Sequence, residues 1–249
     1  MTDNFIKKII LEDRIPQDNY LNCLPVVKHL INNDIEFQKP VTFFVGENGI
    51  GKSTLIEAIA VSTGFNPEGG TVNFNFSTRE SHSDLYKYLK IAKGTRRRTD
   101  GFFLRAESFF NVASNIEEMD REPASAPPVI ESYGGISLHE QSHGESFMVL
   151  VRNRFGGNGL YILDEPEAAL SPSRLMTLLC EIHRLVNDNS QFIISTHSPI
   201  LMAYPNADIY EITQNGINHV HYIETEHYRI TREFLNNTDS MLNTLLYEQ

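Results

Sequence analysis

The sequence predicts an α/β fold on a mostly parallel sheet, and three observations carry that prediction. Five apolar-leaning residues, Val41-Thr42-Phe43-Phe44-Val45, stop at Gly46, and a glycine-rich turn then leads to a helix over 53–60 with Leu55, Ile56 and Ile59 at helical spacing. A second apolar run, Leu160-Tyr161-Ile162-Leu163, precedes a stripe of Leu175, Leu178, Leu179, Ile182, Leu185 and Val186, the pattern of a helix lying on a sheet. A third strand over 191–196 follows that helix. Strands that alternate with helices close a parallel sheet through crossover connections.

The remaining elements fill in around this frame. Residues 82–92 read as a helix, 101–106 as a strand, 107–119 as a helix and 122–128 as a Pro/Ala/Ser loop; the stretch 73–140 is expected to contribute a small helical lobe. A helix over 146–155 ends at Gly156-Gly157-Asn158-Gly159. Ser171 followed by Pro172 is a helix cap with Pro at the first helical position. Residues 209–223 read as a hairpin turning at Gln214-Asn215-Gly216, and the chain after Glu226 as helix. Without repeats or low-complexity tracts, residues 1–249 are expected to form one domain.

Composition narrows the function classes. The 249 residues carry 21 Lys+Arg against 32 Asp+Glu, a net charge of −11, which argues against a generic nucleic-acid coat or polybasic membrane binder. Cys23 and Cys180 cannot build a disulfide framework and fit a reducing compartment. No apolar run nears the roughly 20 residues of a bilayer span. The stretch from Phe5 to Glu12 mixes charge into its apolar residues and lacks a cleavage site, so a cytoplasmic location is expected.

Gly46-Glu47-Asn48-Gly49-Ile50-Gly51-Lys52-Ser53 satisfies the Walker A pattern in full, and it falls between a strand and a helix, the context the motif requires. The glycines let successive backbone N–H groups point at phosphate oxygens, and the helix adds its N-terminal dipole. Lys52 then spans the β- and γ-phosphates, the Ser53 hydroxyl is a Mg²⁺ ligand, and Thr54 completes the nucleotide-binding set. Asp164 and Glu165, at the end of the 160–163 strand, would reach the same sheet edge. Read as a Walker B pair, Asp164 holds Mg²⁺ through water and Glu165 accepts a proton from the attacking water.

Gln141-Ser142-His143-Gly144-Glu145 lies 22 residues before Asp164 and opens a predicted helix. It resembles the signature motif of ABC-type ATPases, usually Leu-Ser-Gly-Gly followed by Gln or Glu. Glu165-Pro166-Glu167-Ala168-Ala169-Leu170-Ser171 resembles that family's Walker B glutamate running into its D-loop, and His197 in Ser195-Thr196-His197-Ser198-Pro199 resembles its switch histidine. The wording of Gly46-Glu47-Asn48-Gly49 and of the 195–199 segment is similar to the SMC- and RecF-like branch, and within it to compact stand-alone ATPases of AAA type. Only 90 residues separate Lys52 from Ser142, too few for a long coiled-coil arm.

The resemblance implies an ATPase, ATP + H₂O to ADP + phosphate, working as a homodimer on ATP binding. Each site would join Lys52, Glu165 and His197 of one chain to Ser142, His143, Gly144 and Glu145 of the other, with ATP and Mg²⁺ between them. Three positions depart from the family pattern: His143 replaces the first signature glycine, Ser171 stands where the D-loop usually has Asp, and Glu107 is the nearest residue to a Q-loop glutamine and so a weak metal-site candidate. The resemblance suggests DNA maintenance or defence as the process, with a non-hydrolysing ATP-dependent switch and a cytosolic transporter subunit as alternatives. A nucleic-acid or protein partner would read the output.

Other features read more blandly. Arg96-Arg97-Arg98 with Lys93 reads first as a solvated loop and second as a phosphate or nucleic-acid contact. His219 and His221 read as surface histidines on one side of a strand, and Phe109, Phe110 and Tyr133 as core. Tyr20 and Arg14 are candidates for stacking on adenine, although no motif fixes that contact.

Overall fold

The computed structural model describes residues 3–72, 83–106, 109–121 and 128–247. In chain order its strands are β1 (Ile6–Leu11), β2 (Ile35–Glu36), β3 (Val41–Val45), β4 (Leu89–Lys93), β5 (Asp100–Arg105), β6 (Gly159–Asp164), β7 (Gln191–Ser195), β8 (Ala207–Thr213) and β9 (Gly216–His219). The helices are α1 (Pro25–Leu30), α2 (Lys52–Ser62), α3 (Phe109–Arg121), α4 (His143–Arg154), α5 (Pro172–Asn187), α6 (Pro199–Met202), α7 (Glu226–Asn236) and α8 (Thr238–Tyr247).

The main sheet has the order β5-β6-β7-β3-β8-β9, parallel from β5 through β8 and closed by antiparallel β9. Its central strands are apolar on both faces because both faces are covered. Phe43, Tyr161, Leu163, Phe192 and Ile194 enter one core cluster with α3, α4 and α5. Their alternates Phe44, Leu160, Ile162 and Ile193 enter a second cluster with α1 and α2. Each fully buried side chain of this size contributes about 1.5–3 kcal/mol, so the sheet is the stable frame on which loops can be left polar.

A smaller antiparallel sheet, β2-β1-β4, lies on the α2 side. It is clasped to the main sheet by the Gln191 side chain, which accepts from Ile6 N–H and donates to Ile6 C=O, both at 2.9 Å. The helix expected over 82–92 is instead a single 3₁₀ turn, Asp84–Tyr88, capped by Ser83, followed by β4; residue 82 lies outside the described residues. Tertiary pairing decides this, since Ile91 sits opposite Ile9 and Leu89 opposite Leu11. The stretch 73–140 is accordingly shared among three places: β4 in the small sheet, β5 at the edge of the main sheet, and α3 with the following 3₁₀ turns over the first core cluster.

Smaller differences have local causes. The helix expected from 107 is described from Phe109, and the 122–128 loop lies outside the described residues up to 127. Phe109 and Tyr133 are buried, but Phe110 is 61% exposed and rests against the His139 ring, because it falls on the outer side of α3. The hairpin runs from β8 to β9 with its turn at Gln214-Asn215, as the sequence indicates, but β9 stops at His219. His221 therefore leaves the strand and precedes a 3₁₀ turn, while His219 pairs with Asp208 at 3.1 Å. Arg96 and Arg98 are tied down: Arg98 donates to Thr63 C=O and covers the Phe65 ring, and Arg96 bonds Asn158 and covers Phe5. Only Arg97 of the three is exposed. Among the described residues, no helix is long and apolar enough to cross a membrane.

Candidate functional site

The carboxyl ends of β6, β7 and β3 are adjacent, with Ser195 in register with Phe44 on one side and Asp164 on the other. Three sequence-distant segments therefore open onto one edge: the turn after β3, the Asp164-Glu165 pair after β6, and His197 after β7. This is the edge at which parallel sheets bind ligands.

The turn from Gly46 to Gly51 needs its glycines. Gly46 has φ of +138°, and a Cβ there would lie 2.2 Å from the Ile212 carbonyl oxygen; Gly51, with φ of +99°, caps α2 in the left-handed region. Lys52 is 4% exposed, and its Nζ donates to the carbonyls of Gly46 at 2.8 Å and Glu47 at 2.7 Å. Burial pulls its pKa down, while the nearby carboxylates of Glu165, Asp164 and Glu167 oppose that. The ammonium thus occupies the turn itself.

Asp164 is 6% exposed and accepts from the Ser195 hydroxyl, and the Ser53 side chain stands near enough to favour its charged form. Burial raises its pKa despite these donors and the Arg105 charge. Arg105, at the end of β5, has Nε 3.4 Å from Asp164 Oδ2 and an ion pair of 2.6 Å with Glu57 of α2. Glu165 sits at φ +50°, ψ 54°, a left-handed backbone that a glutamate rarely adopts. Its N–H is held by Ser195, through the carbonyl oxygen at 3.2 Å and the hydroxyl at 3.1 Å. Such strain is typical where surrounding structure fixes a reactive side chain.

His197 is held from two directions. Its backbone N–H donates to Glu167, a carboxyl whose pKa burial raises. Its ring Nε2 lies 3.3 Å from Glu165 Oε1, and its Nδ1 lies 2.9 Å from Nε2 of His227 on α7. Burial and the Lys52 charge push the His197 pKa down to about 4, so the ring is neutral near pH 7.

The predicted signature residues stand apart from these contacts. Ser142 precedes α4; its hydroxyl donates to Glu145 at 2.6 Å, and its N–H does so at 3.2 Å. Ser142, His143 and Glu145 are exposed, whereas Gly144 is buried. A Cβ on Gly144 would lie 2.9 Å from the Ala169 carbonyl oxygen and 2.3 Å from Arg174 Nη1. Arg174 also reaches Glu145 at 3.4 Å. Ser171 caps α5 by accepting from Arg174 N–H. Among the described residues, the side chains around Ser142 are thus engaged with one another and with α5.

Sequence reasoning placed Gly46 to Ser53, Asp164, Glu165 and His197 together, and the structure does so. Thr54 follows within α2, and Glu107 lies outside the described residues. Tyr20 is 60% exposed in the 3₁₀ turn Tyr20–Cys23, which leads to Leu24 and Val26 beside Gly51. Missed were Arg105, Glu57, Glu167 and His227. Glu57 had one faint signal, a carboxylate between the apolar Ile56 and Ile59 of its helix.

A family model described as "AAA domain" matches residues 26–122, and one described as "AAA domain, putative AbiEii toxin, Type IV TA system" matches 136–203. The cobalt import ATP-binding protein CbiO of Salmonella typhimurium is 27% identical over 204 residues, covering 78% of this chain and 74% of that protein. The probable ATP-dependent transporter ycf16 of Antithamnion sp. is 26% identical over 196 residues, covering 69% and 76%. Among solved structures, cbiO1 of Clostridium perfringens superposes with a TM-score of 0.51 at 15% identity, over 95% of this chain and 97% of that one. The dimeric bacterial ABC transporter cassette MJ0796 gives 0.50 at 16% identity, over 87% and 99%. These likenesses establish the fold, and they fall on the same elements that carry the phosphate turn, the carboxylate pair and the switch segment. The chain is thus similar to AAA-domain models over two separate stretches, and its fold is that of the ABC ATPase cassettes.

Proposed function

We propose that the chain hydrolyses ATP, with Mg²⁺, at a site completed by a second copy of itself. The observation that carries this is the convergence of the Gly46–Ser53 turn, Asp164, Glu165 and His197 on three adjacent strand ends, with the Ser195 hydroxyl on Asp164 and the Ser53 side chain near it. A hydroxyl and a buried carboxylate, both oxygen donors, suit a hard divalent cation. Ser53 and Asp164 would hold the metal, with Glu107 a weaker candidate. Mg²⁺ bound there would draw negative charge from the phosphate oxygens.

The protein groups have separable tasks. Backbone N–H groups of residues 46 to 54 bind the phosphates. Lys52 exchanges its two carbonyl partners for β- and γ-phosphate oxygens. Glu165 takes the proton of a water whose oxygen bonds to the γ-phosphorus as the bond to the bridging oxygen breaks and ADP departs. His197, neutral, donates a hydrogen bond to the transferring phosphoryl group. From the second copy, Ser142 and the N–H groups of His143, Gly144 and Glu145 at the start of α4 would reach the same γ-phosphate. The exposure of Ser142, His143 and Glu145 and the dipole of a 12-residue helix support that placement. The test is phosphate release under excess ATP–Mg²⁺: Glu165→Gln should abolish it while ATP still binds. Steady turnover in that variant, or none in the wild type, would defeat the reading.

For the process driven, we favour DNA maintenance or defence in the cytoplasm, where free Cys23 and Cys180 stay reduced. The match of residues 136–203 to a toxin-family model supports this. DNA should accelerate hydrolysis at low salt; equal turnover with and without duplex or single strands would remove it. The names of the 26–27% identical relatives support a second reading, an ATPase subunit of an importer. That reading requires stable co-purification with a membrane protein.

A further inference from the structure

The helix α7 sends one imidazole onto the catalytic edge, and no motif assigns it a task. We propose that His227 is a positioning residue that fixes which ring nitrogen of His197 carries the proton, making His197 a hydrogen-bond donor toward the γ-phosphate. The proposal rests on the role given to His197 above.

Three contacts form a chain: His227 Nε2 to His197 Nδ1 at 2.9 Å, His197 Nε2 to Glu165 Oε1 at 3.3 Å, and His197 N–H to Glu167. The backbone on both sides of this contact is anchored. Thr225, fully buried, caps α7 by accepting from Tyr228 N–H, and Glu226 N–H donates to Glu211 of β8 at 2.9 Å. His227 is therefore fixed to the main sheet through its neighbours on the helix. Its Nδ1 and the His197 Nε2 are buried atoms without a hydrogen-bond partner of good geometry among the described residues. Burial and the Lys52 charge lower the pKa of both rings.

With both rings neutral, one proton lies between them, and there are two ways to place it. If His197 Nδ1–H donates to His227, the His197 Nε2 lone pair faces the Glu165 carboxylate at 3.3 Å, which is repulsive. If His227 Nε2–H donates to His197 Nδ1, then His197 carries its proton on Nε2, 3.3 Å from Glu165 Oε1, and although the pair is not aligned as a hydrogen bond the charge contact is attractive. The second arrangement also presents an N–H where a phosphoryl oxygen would arrive. The carboxylate favours this tautomer, and His227 fixes it by donating to Nδ1, the nitrogen that would otherwise compete for the proton.

The test uses the full chain, wild type, His227→Gln, whose amide N–H can still donate, and His227→Leu, which cannot. Imidazole ¹⁵N–¹H correlation spectra of the nucleotide-free proteins read the tautomer directly. The wild type and His227→Gln should hold His197 as the Nε2–H form, and His227→Leu should show mixed or exchanging forms. In turnover, His227→Leu should lower kcat about 10-fold to 100-fold, the scale of losing an outer partner of a working histidine, with KM for ATP nearly unchanged. His227→Gln should recover most of that, and His227→Leu should add nothing in a His197→Ala background. An Nδ1–H form in the wild type overturns the proposal, and so does an unchanged His197 spectrum in His227→Leu. A kcat loss that Gln fails to restore also overturns it. Wild-type rates in His197→Ala would instead defeat the parent reading, and the spectra would still judge the contact.

Discussion

The strand-end edge that carries the Gly46–Ser53 turn and the start of α4 use their polar groups differently. At the edge, Lys52, Asp164, Glu167 and His197 are largely buried and wired across β3, β6 and β7. At the start of α4, Ser142, His143 and Glu145 are exposed, and the Ser142 and Glu145 side chains are satisfied by one another and by Arg174. Buried polar groups that lean on each other are costly to disturb, whereas exposed ones can be released with little loss. The strand-end edge is therefore preformed within one chain, and the start of α4 is an exposed surface, as the proposed two-copy site requires.

The largest effect that would sharpen this contrast is loss of the preformed half. Lys52→Ala should lower turnover by about 100-fold to 1,000-fold, the scale of removing one electrostatic stabiliser of a transition state. Steady-state phosphate release measures this, and ATP affinity should fall with it. A smaller loss from Lys52→Ala than from Ser142→Ala would break the comparison.

Next comes assembly. Glu165→Gln should shift on ATP–Mg²⁺ from the mass of one chain to that of two, by light scattering on a sizing column. Adding Ser142→Arg should keep it at one chain while equilibrium dialysis still detects bound ATP. A double variant that still pairs would show that the α4 surface is not the contact.

Gly144→Ala tests the one buried glycine in the exposed half. Its methyl group meets the Ala169 carbonyl, so it should cost about 1–3 kcal/mol, as overpacking does. A denaturant midpoint equal to that of the wild type would show that the 166–170 segment yields.

The smallest effect concerns pH. His197 has a folded pKa near 4, below its ordinary 6.5, so the unfolded chain binds the proton first as pH falls. Its share of stability is complete above 6.5 and is lost progressively down to 4. The midpoint difference between wild type and His197→Gln should therefore narrow as pH drops from 7 to 5. A constant difference would mean that the ring is not sheltered.

How much was legible in the sequence depended on how local each signal is. The Gly46–Ser53 turn and the Leu160–Glu165 run declare themselves because motif and element coincide within ten residues. β1 and β4 did not, since Ile9 and Ile91 are paired by a contact across 82 residues that no local pattern encodes. The 84–92 stretch offered Leu85, Tyr88, Leu89 and Ala92 at spacings that also suit a helix. His227 is one histidine among polar neighbours on a helix and gains meaning only beside His197. Arg96 and Arg98 looked like free charge, yet their alkyl stems and guanidinium faces cover Phe5 and Phe65.

The backbone at Glu165 carries a consequence for how this chain tolerates change. At φ +50° the position is eased by Asn or Gly, residues that enter the left-handed region more readily than a glutamate. A laboratory search for heat-resistant variants would drift toward those replacements, and each would discard the carboxylate proposed to take the proton of the attacking water. At this residue, robustness and catalysis pull in opposite directions.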